Sequence, residues 1–275
     1  MNILVVDIGG THVKVPVTGE TEPRKFDSGP KLTAHEMVAG VKKLADGWNY
    51  DVVSIGFPGP VLRNRPIAEP ANLGEGWFGF NFRSAFGCPV KVVNDAAMQA
   101  LGSYRRGEML FIGLGTGLGS TMIVDGIVEP MELGHLPYKK GTYESYLGNR
   151  ALLKKGKKEW RRHVADVVVR LVAALEPDEV VLGGGNVKEL KPLPPKCRAG
   201  GNRNAFRGGF RLWEASELAF LSGTQVPSNS SRGKGIGNGN STSRSKLHAT
   251  EREAAGTRKL KARQNRAPTT VQQTT

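Results

Sequence analysis

Apolar residues along this chain fall into short runs that alternate with longer amphipathic segments. β-branched and apolar residues predict strands at residues 2–7, 51–56, 109–114, 120–124 and 179–182. A helix is predicted from Lys31, because Thr33 and Glu36 have capping-box spacing and an apolar stripe follows them. Further helices are predicted over residues 154–175 and 206–213. Strands that alternate with helices are typical of an α/β protein.

One predicted strand ends in polar residues directly before a helix. Apolar residues lead up to Asn94 and Asp95, and good helix formers follow over residues 96–101. Either Asn94 or Asp95 can cap this helix. Ligands bind at strand ends in α/β sheets, and a carboxylate there can accept a proton from a hydroxyl group. Asp95 is therefore a candidate catalytic residue, and a simple helix cap is the alternative.

Three predicted strands end in glycine-rich turns. These turns are Gly9-Gly10-Thr11, Gly115-Thr116-Gly117 and Gly183-Gly184-Gly185. The first two turns are predicted to close hairpins, because strands can return at His12–Val15 and at residues 120–124, and a helix is expected after the third turn. Glycine lets backbone amides approach an anion closely, so each turn can hold phosphate, and each is also compatible with an ordinary turn. The second turn fits neither a dinucleotide fingerprint nor a Walker A loop, because its glycine spacing differs and no Gly-Lys-Ser/Thr ends it. Asp7, just before the first turn, can hold Mg²⁺ or its waters.

Two further segments carry polar side chains. The loop from Asn72 to Trp77 can line a sugar pocket, or it is a surface connection with Trp77 in the core. Glu132 and His135 lie on either side of a glycine and can point into one pocket, with Glu144 following. A purely structural histidine is the alternative.

The charge of the chain is strongly basic. The 275 residues carry a net charge of +14, and residues 216–275 contain ten Lys and Arg against three Glu. Such a balance favours polyanionic partners, either nucleic acid or phosphate-rich ligands, or serves solubility alone. Nucleic acid is not favoured, because the basic residues are not interleaved with aromatic ones. The basic end of the long helix, residues 154–162, faces either a phosphate chain or only water.

The composition also bears on the compartment. No apolar run approaches the roughly 20 residues that span a bilayer, and the first strand does not have the pattern of a signal peptide. Cys88 and Cys197 provide no disulfide framework, so a reducing cytoplasm is expected. Residues 222–275 are rich in Ser, Gly, Asn and basic residues without periodicity, and we predict that this basic tail is disordered.

The motifs together resemble a known family. Asp7-Ile8-Gly9-Gly10-Thr11, Asn94-Asp95, Gly115-Thr116-Gly117, Glu132-Leu133-Gly134-His135 and Gly183-Gly184-Gly185 occur in the order seen in ROK-family sugar kinases. Over residues 1–214 the chain is most similar to the bacterial polyphosphate glucokinases of that family. The resemblance implies an actin-like (ribonuclease H-like) α/β fold with two domains around a cleft. We predict a first domain over residues 1–94, completed by 202–216, and a second over residues 95–201.

The resemblance also implies roles for the candidate residues. Asp95 is the expected catalytic base. The expected sugar ligands are Asn94, Asn72, Glu132, His135 and Glu144. Donor phosphates are expected at Lys14 and at the turns Gly9-Gly10-Thr11 and Gly115-Thr116-Gly117, with Gly183-Gly184-Gly185 near a nucleoside where the donor has one. The reaction implied is phosphoryl transfer from polyphosphate and/or ATP to the 6-hydroxyl of glucose, with Mg²⁺.

The chain departs from the family pattern at one place. Many ROK proteins carry a cysteine cluster that binds zinc, and residues 139–144 here contain no cysteine, so no zinc is expected. Donor preference, sugar range and oligomeric state stay open, with a homodimer as one alternative. An ATP-only kinase for another hexose and a non-catalytic sugar-binding regulator are the other functional alternatives. The regulator is not favoured, because such proteins carry an N-terminal helix-turn-helix and this sequence begins at its first strand.

Overall fold

The structure, a computed structural model, describes residues 1–201 and 203–214. The tail predicted to be disordered, residues 222–275, lies outside these residues. In chain order the elements are β1 (Ile3–Ile8), β2 (His12–Val15), β3 (Arg24–Asp27), α1 (Ala34–Leu44), β4 (Val52–Phe57), β5 (Val61–Leu62), β6 (Arg65–Pro66), α2 (Phe82–Phe86), β7 (Val90–Asn94), α3 (Asp95–Ser103), β8 (Glu108–Leu114), β9 (Leu118–Val124), β10 (Ile127–Met131), β11 (Pro137–Tyr138), β12 (Gly141–Thr142), α4 (Tyr143–Leu147), α5 (Asn149–Leu175), β13 (Glu179–Gly183), β14 (Cys197–Ala199) and α6 (Asn204–Glu214). Short 3₁₀ helices span Leu133–His135 and Gly185–Glu189.

The first five-stranded sheet has the order β3-β2-β1-β4-β7. β1 and β2 form the predicted antiparallel hairpin around the first glycine turn, and their register pairs Asp7 with Lys14. β1, β4 and β7 run parallel, so their carboxyl ends share one edge of the sheet. α1 covers this sheet. Its N-cap Thr33 makes the predicted capping box with Glu36, and its buried face packs into the core.

The second five-stranded sheet has the order β10-β9-β8-β13-β14. β8 and β9 form the predicted hairpin around the second glycine turn, and β9 and β10 form another at Asp125-Gly126. α5 packs its apolar stripe on this sheet, and Trp160 is fully buried there with its indole N–H donated to the carbonyl of Leu147 at 2.8 Å. α5 begins earlier than predicted, at Asn149, and Gly156 interrupts it with φ 76°.

The helices α3 and α6 cross at glycines and join the two sheets. A Cβ atom on Gly208 would overlap the carbonyl oxygen of Met98, and one on Gly102 would overlap that of Asn204. Their shared core takes buried side chains from both sheets, including Val5 of β1 and Phe111 of β8. The junction of β7 and α3 therefore lies where the two sheets meet.

The structure differs from the sequence predictions at several elements. The helix expected after Gly183-Gly184-Gly185 is a short 3₁₀ helix over Gly185–Glu189, with Gly184 as its N-cap. β3, β14 and the β11–β12 hairpin were not predicted. The domain boundaries stay a prediction, although α6 does pack against β1 and β4. Within the described residues, no helix is both long and apolar enough to span a membrane.

Candidate active site

Asp95 is the first residue of α3, directly after β7. Asn94 is the cap, because its Oδ1 accepts from the backbone N–H groups of Ala96 at 2.9 Å and Ala97 at 3.3 Å. Oδ1 of Asp95 accepts from the N–H of Ala96 at 2.7 Å, and its Oδ2 has no side-chain hydrogen bond to residues 1–201 or 203–214. Of the two residues that the sequence offered as the cap of α3, Asn94 takes this position. Helix capping therefore does not explain the aspartate at position 95.

Glycines bring both sheets to the start of α3. A Cβ atom on Gly119 of β9 would lie 2.8 Å from Cβ of Ala96. One on Gly56, at the end of β4, would overlap the Met98 side chain and lie 3.6 Å from Cα of Asp95. Only residues without a side chain permit these approaches. Asp95 is consequently partly buried between the ends of two sheets.

Two other carboxylates, those of Asp7 and Glu132, act on Asp95 at this junction. Burial raises the pKa of Asp95 from its ordinary value of 3.8 to about 7; the charge of Asp7 adds to the rise, the Ala96 N–H opposes it, and Glu132 contributes a smaller increase. Burial also raises the pKa of Asp7, and the charge of Lys14 on the paired strand opposes that rise. A carboxylate with a pKa near 7 is suited to exchange protons at neutral pH.

The first glycine turn lies at the end of β1. Its Gly9 N–H donates to the carbonyl of His12 at 3.0 Å, and the Ser28 hydroxyl donates to the carbonyl of Gly9 at 2.5 Å. A Cβ atom on Gly10 would lie 3.7 Å from Cβ of Asn72, so the structure brings Asn72 to this turn. Gly10 and Thr11 are exposed, which leaves the tip of the turn open to a ligand.

The loop after Asn72 does not present its aromatic residue to a pocket. Trp77 is fully buried, and its indole N–H donates to the carbonyl of Leu32 at 3.2 Å. Of the two sequence interpretations, the core position of Trp77 is confirmed. Whether Asn72 binds a ligand stays a prediction.

The second and third glycine segments lie side by side. The carbonyl of Gly115 accepts from the backbone N–H of Asn149 at 3.0 Å and from Nδ2 of Asn186 at 3.2 Å. Asn186 directly follows the third segment, Gly183-Gly184-Gly185, and Asn149 begins α5. Sequence reasoning missed both asparagines, although the adjacency of Asn186 to three glycines was a usable signal.

Glu144 lies against the second turn. Its Oε2 accepts from the N–H of Leu118 at 3.1 Å, and a Cβ atom on Gly117 would lie 2.5 Å from the same oxygen. Thr142 caps α4 through a capping box with Ser145 and so orients the first turn of the helix that carries Glu144. The predicted sugar ligand and the predicted phosphate turn are therefore in contact.

Glu132 directly precedes the 3₁₀ helix Leu133–His135, which ends at His135 and packs on β9. The N–H of Leu133 donates to Oγ of Ser120 at 3.0 Å. A Cβ atom on Gly134 would lie 2.8 Å from the carbonyl oxygen of Leu118, so only glycine fits there. Both Glu132 and His135 are exposed. Because the charge of Glu132 reaches Asp95, this turn borders the carboxylate site.

The basic residues of α5 are partly paired. Lys157 forms an ion pair with Glu189 at 2.6 Å, and Lys155 forms one with Glu159 at 2.9 Å. Three others are exposed and make no ion pair within the described part of the chain. We name this set the α5 basic patch: Lys154, Lys158 and Arg162.

The acidic residues fit Mg²⁺ in the way that kinases use it. Asp7 supplies hard oxygen donors at the end of β1, and Mg²⁺ is usually held by one or two carboxylates together with substrate phosphates. Among residues 1–201 and 203–214, no group of three or more His, Cys, Asp and Glu side chains is arranged to hold a metal by itself. The predicted Mg²⁺ contact of Asp7 and the predicted lack of zinc both stay predictions.

Comparison with known proteins identifies the family. The model of the ROK family matches residues 3–155, which is more than half of the chain. The chain belongs to the ROK family.

Relatives and solved structures of ROK proteins agree with this assignment. The polyphosphate glucokinase of Mycobacterium tuberculosis (strain CDC 1551 / Oshkosh) is 25% identical over 203 residues, which cover 66% of this chain and 76% of that protein. The inorganic polyphosphate/ATP-glucomannokinase of Arthrobacter sp. strain KM superposes with a TM-score of 0.67 at 23% identity, over 76% of this chain and 96% of that one. A ROK family glucokinase from Streptomyces griseus, solved with glucose and AMPPNP, superposes with a TM-score of 0.64 at 20% identity. The match covers 77% of this chain and 99% of that one. The predicted actin-like α/β fold with two domains is confirmed.

Proposed function

We propose that this ROK protein is a sugar kinase that transfers a phosphoryl group from polyphosphate and/or ATP to the 6-hydroxyl of glucose. The observation that carries the proposal is Asp95, a carboxylate with a pKa of about 7 at the junction of the two sheets. The names of the M. tuberculosis and Arthrobacter relatives support the choice of glucose and of these donors.

Asp95 takes the proton of the attacking hydroxyl. The Ala96 N–H holds its Oδ1, which leaves Oδ2 for the sugar. General-base assistance of this kind contributes about 10²–10⁴-fold to rate. Asn94 uses its Oδ1 to cap α3 and one N–H to hold the Gly59 carbonyl at 3.1 Å, so its second amide hydrogen remains for a sugar hydroxyl. Glu132, His135 and Glu144 complete the sugar site.

The donor lies against the glycine turns. The amides of Gly9 and Gly115 already donate to protein carbonyls. The phosphates are therefore held by the other backbone amides of these two turns, those of Gly10, Thr11, Thr116 and Gly117. Lys14 adds positive charge beside Asp7. Gly183-Gly184-Gly185 lies beside the second turn, where a nucleoside would sit if the donor is ATP. Mg²⁺ held near Asp7 would neutralise charge on the transferred phosphate.

A coupled assay for glucose phosphorylation tests this function. We expect activity with at least one of the two donors, ATP and polyphosphate, and loss of that activity on removal of divalent metal. A chain that binds glucose without phosphorylating it would be a sugar-binding regulator, and activity only on another hexose would correct the substrate.

The α5 basic patch supports polyphosphate as a donor. Lys158 and Arg162 are one helical turn apart and share a face, and a polyphosphate chain offers one charge per phosphate but no base to stack. Replacing Lys154, Lys158 and Arg162 with Gln is expected to raise the KM for polyphosphate strongly and that for ATP slightly, with a weaker effect at high salt.

A control removes the same charge elsewhere. Lys42, Lys43 and Arg83 are exposed on α1 and α2, and their replacement with Gln is expected to leave both KM values unchanged. Equal increases for both donors in the α5 variant, or an equal polyphosphate effect in the control variant, would contradict a binding role for the α5 basic patch.

A further inference from the structure

A short hairpin separates two of the proposed sugar ligands. β11 begins two residues after His135, and β12 ends two residues before Glu144. The N–H of Tyr143 donates to the carbonyl of Leu136 at 3.0 Å and closes the base of this hairpin. The separation between His135 and Glu144 therefore depends on how the hairpin is held.

The hairpin cannot hold itself in place. Its ladder consists of two residue pairs, Pro137 with Thr142 and Tyr138 with Gly141. Isolated two-stranded hairpins are marginal in water even when they are longer. Contacts with the helices α4 and α5 must therefore hold the hairpin in place.

Tyr138 supplies these contacts. Its side chain is 4% exposed, and its hydroxyl donates to Oδ2 of Asp166 at 2.7 Å. The hydroxyl oxygen of Tyr138 also lies 3.0 Å from Nδ1 of His163. His163 is also buried, and its Nε2 lies 3.3 Å from Oε1 of Glu159. The Tyr146 ring of α4 meets the Tyr138 ring edge-on at 5.0 Å. One side chain thus links the hairpin to both α4 and α5.

The protonation states suit this link. Burial, and then the hydrogen bond to Asp166, raise the pKa of Tyr138, so its phenol remains a donor. The same hydrogen bond lowers the pKa of Asp166, so its carboxylate remains ionised as the acceptor. A hydrogen bond to an ionised acceptor is stronger than a neutral one. Nε of Arg170 donates to the same Oδ2 of Asp166 at 3.2 Å.

We propose that Tyr138 is a positioning residue for the sugar site. Through Asp166 and His163 it fixes the hairpin on α5, and the hairpin in turn fixes His135 and Glu144 at the separation that a hexose requires. This inference rests on the proposed function, in which both residues hold sugar hydroxyls.

The variant Tyr138→Phe tests the role, because it keeps the buried ring and removes only the hydroxyl. We expect the KM for the sugar to rise about tenfold, as for loss of one hydrogen bond to a charged group. The KM for the donor should change little, since the ring contacts remain. The melting temperature should fall by only about a few degrees, because one hydrogen bond of the folded state is lost. Hydrogen exchange over residues 135–144 should become faster. The variant Asp166→Ala should give the same sugar defect, and the double variant should add nothing further.

A matched control removes a hydroxyl from another tyrosine. Tyr104 is partly buried at the end of α3, and its hydroxyl donates to the carbonyl of Gly107 at 3.2 Å. Tyr104→Phe should leave the KM for the sugar and exchange over residues 135–144 unchanged. A defect of equal size in this control would show that the effect in Tyr138→Phe is not specific to the hairpin and would overturn the proposal.

Two results on Tyr138→Phe itself also decide the matter. An unchanged sugar KM, or equal increases in the sugar and donor KM values, would overturn the positioning role. If the wild type phosphorylates no hexose, the proposed function fails. Hydrogen exchange alone then decides whether Tyr138 anchors the hairpin. Faster exchange over residues 135–144 would retain Tyr138 as the anchor of this segment, and unchanged exchange would overturn it.

Discussion

Replacing Asp95 with Asn separates catalysis from stability. Asn keeps the size of the side chain and an oxygen that can accept from the Ala96 N–H, so the start of α3 is preserved. It cannot accept a proton from the sugar. We expect kcat to fall by about 10²–10⁴-fold, the usual contribution of a general base. In the wild type, kcat/KM should rise with pH and level off above about 7, where Asp95 is ionised.

The same substitution should stabilise the protein at neutral pH. The pKa of Asp95 is raised in the folded state, so ionisation opposes folding: wild-type stability is unaffected below pH 3.8 and falls as pH rises towards about 7. The rise from 3.8 to about 7 corresponds to at most about 4 kcal/mol. Because Asp95 is only partly buried, solvent screens part of this, and we expect Asn to gain about 1–2 kcal/mol, or about 2–8 °C in Tm, at pH 8.

Thermal unfolding at several pH values, without metal or substrate, measures this effect. The Tm difference between Asp95→Asn and wild type should be close to zero at pH 4 and grow to its full size above pH 7. Asp46→Asn makes the same chemical change at an exposed position and is the matched control for the substitution itself. A difference that does not vary with pH, or an Asn variant less stable at pH 8, would refute the electrostatic argument, and near wild-type turnover would refute Asp95 as the base.

Two further predictions concern the sugar and the helix crossing. Glu132→Gln and His135→Ala should weaken glucose binding in titrations by about 1.5–3 kcal/mol each, if each loses a charged hydrogen bond, with donor binding unaffected; unchanged glucose affinity would make both residues structural. Gly208→Ala should destabilise the fold by several kcal/mol in denaturant unfolding, because its methyl group would overlap the Met98 carbonyl. Gly201→Ala, where a Cβ atom meets nothing within 4 Å, is the matched control, and equal stability of the two variants would contradict the close α3–α6 crossing.

Local patterns predicted much of the fold. Both glycine-turn hairpins and the capping box at Thr33 follow from residues that are neighbours in the chain, and all three are confirmed. The edge strand β3 was missed, because Arg24–Asp27 is mostly charged and exposed and shows no buried alternation. The start of α5 was missed as well, since the Asn149 N–H finds its acceptors on a turn more than thirty residues earlier in the chain.

The candidate site was predictable only in part. Asp95 could be identified as a candidate because it lies where a strand ends directly before a helix, and this junction is visible in the sequence. The influence of Glu132 on Asp95 depends on β9 folding back beside α3, where Gly119 meets Ala96. Likewise Tyr138 and Asp166 lie far apart in the chain, and neither belongs to a motif. Such pairs are set by tertiary packing, so no local pattern indicates them.

The site's own charges limit how the proposed reaction can proceed. Burial, together with the negative charges of Asp7 and Glu132, already raises the pKa of Asp95 to about 7. A bound polyphosphate or ATP adds more, and without compensation it would raise that pKa further and protonate the base when the donor arrives. Cations must therefore accompany the donor. Lys14 already offsets Asp7, and Mg²⁺ and the α5 basic patch can offset the donor itself. An ionised Asp95 beside a polyanionic donor thus requires positive charge close to the donor phosphates.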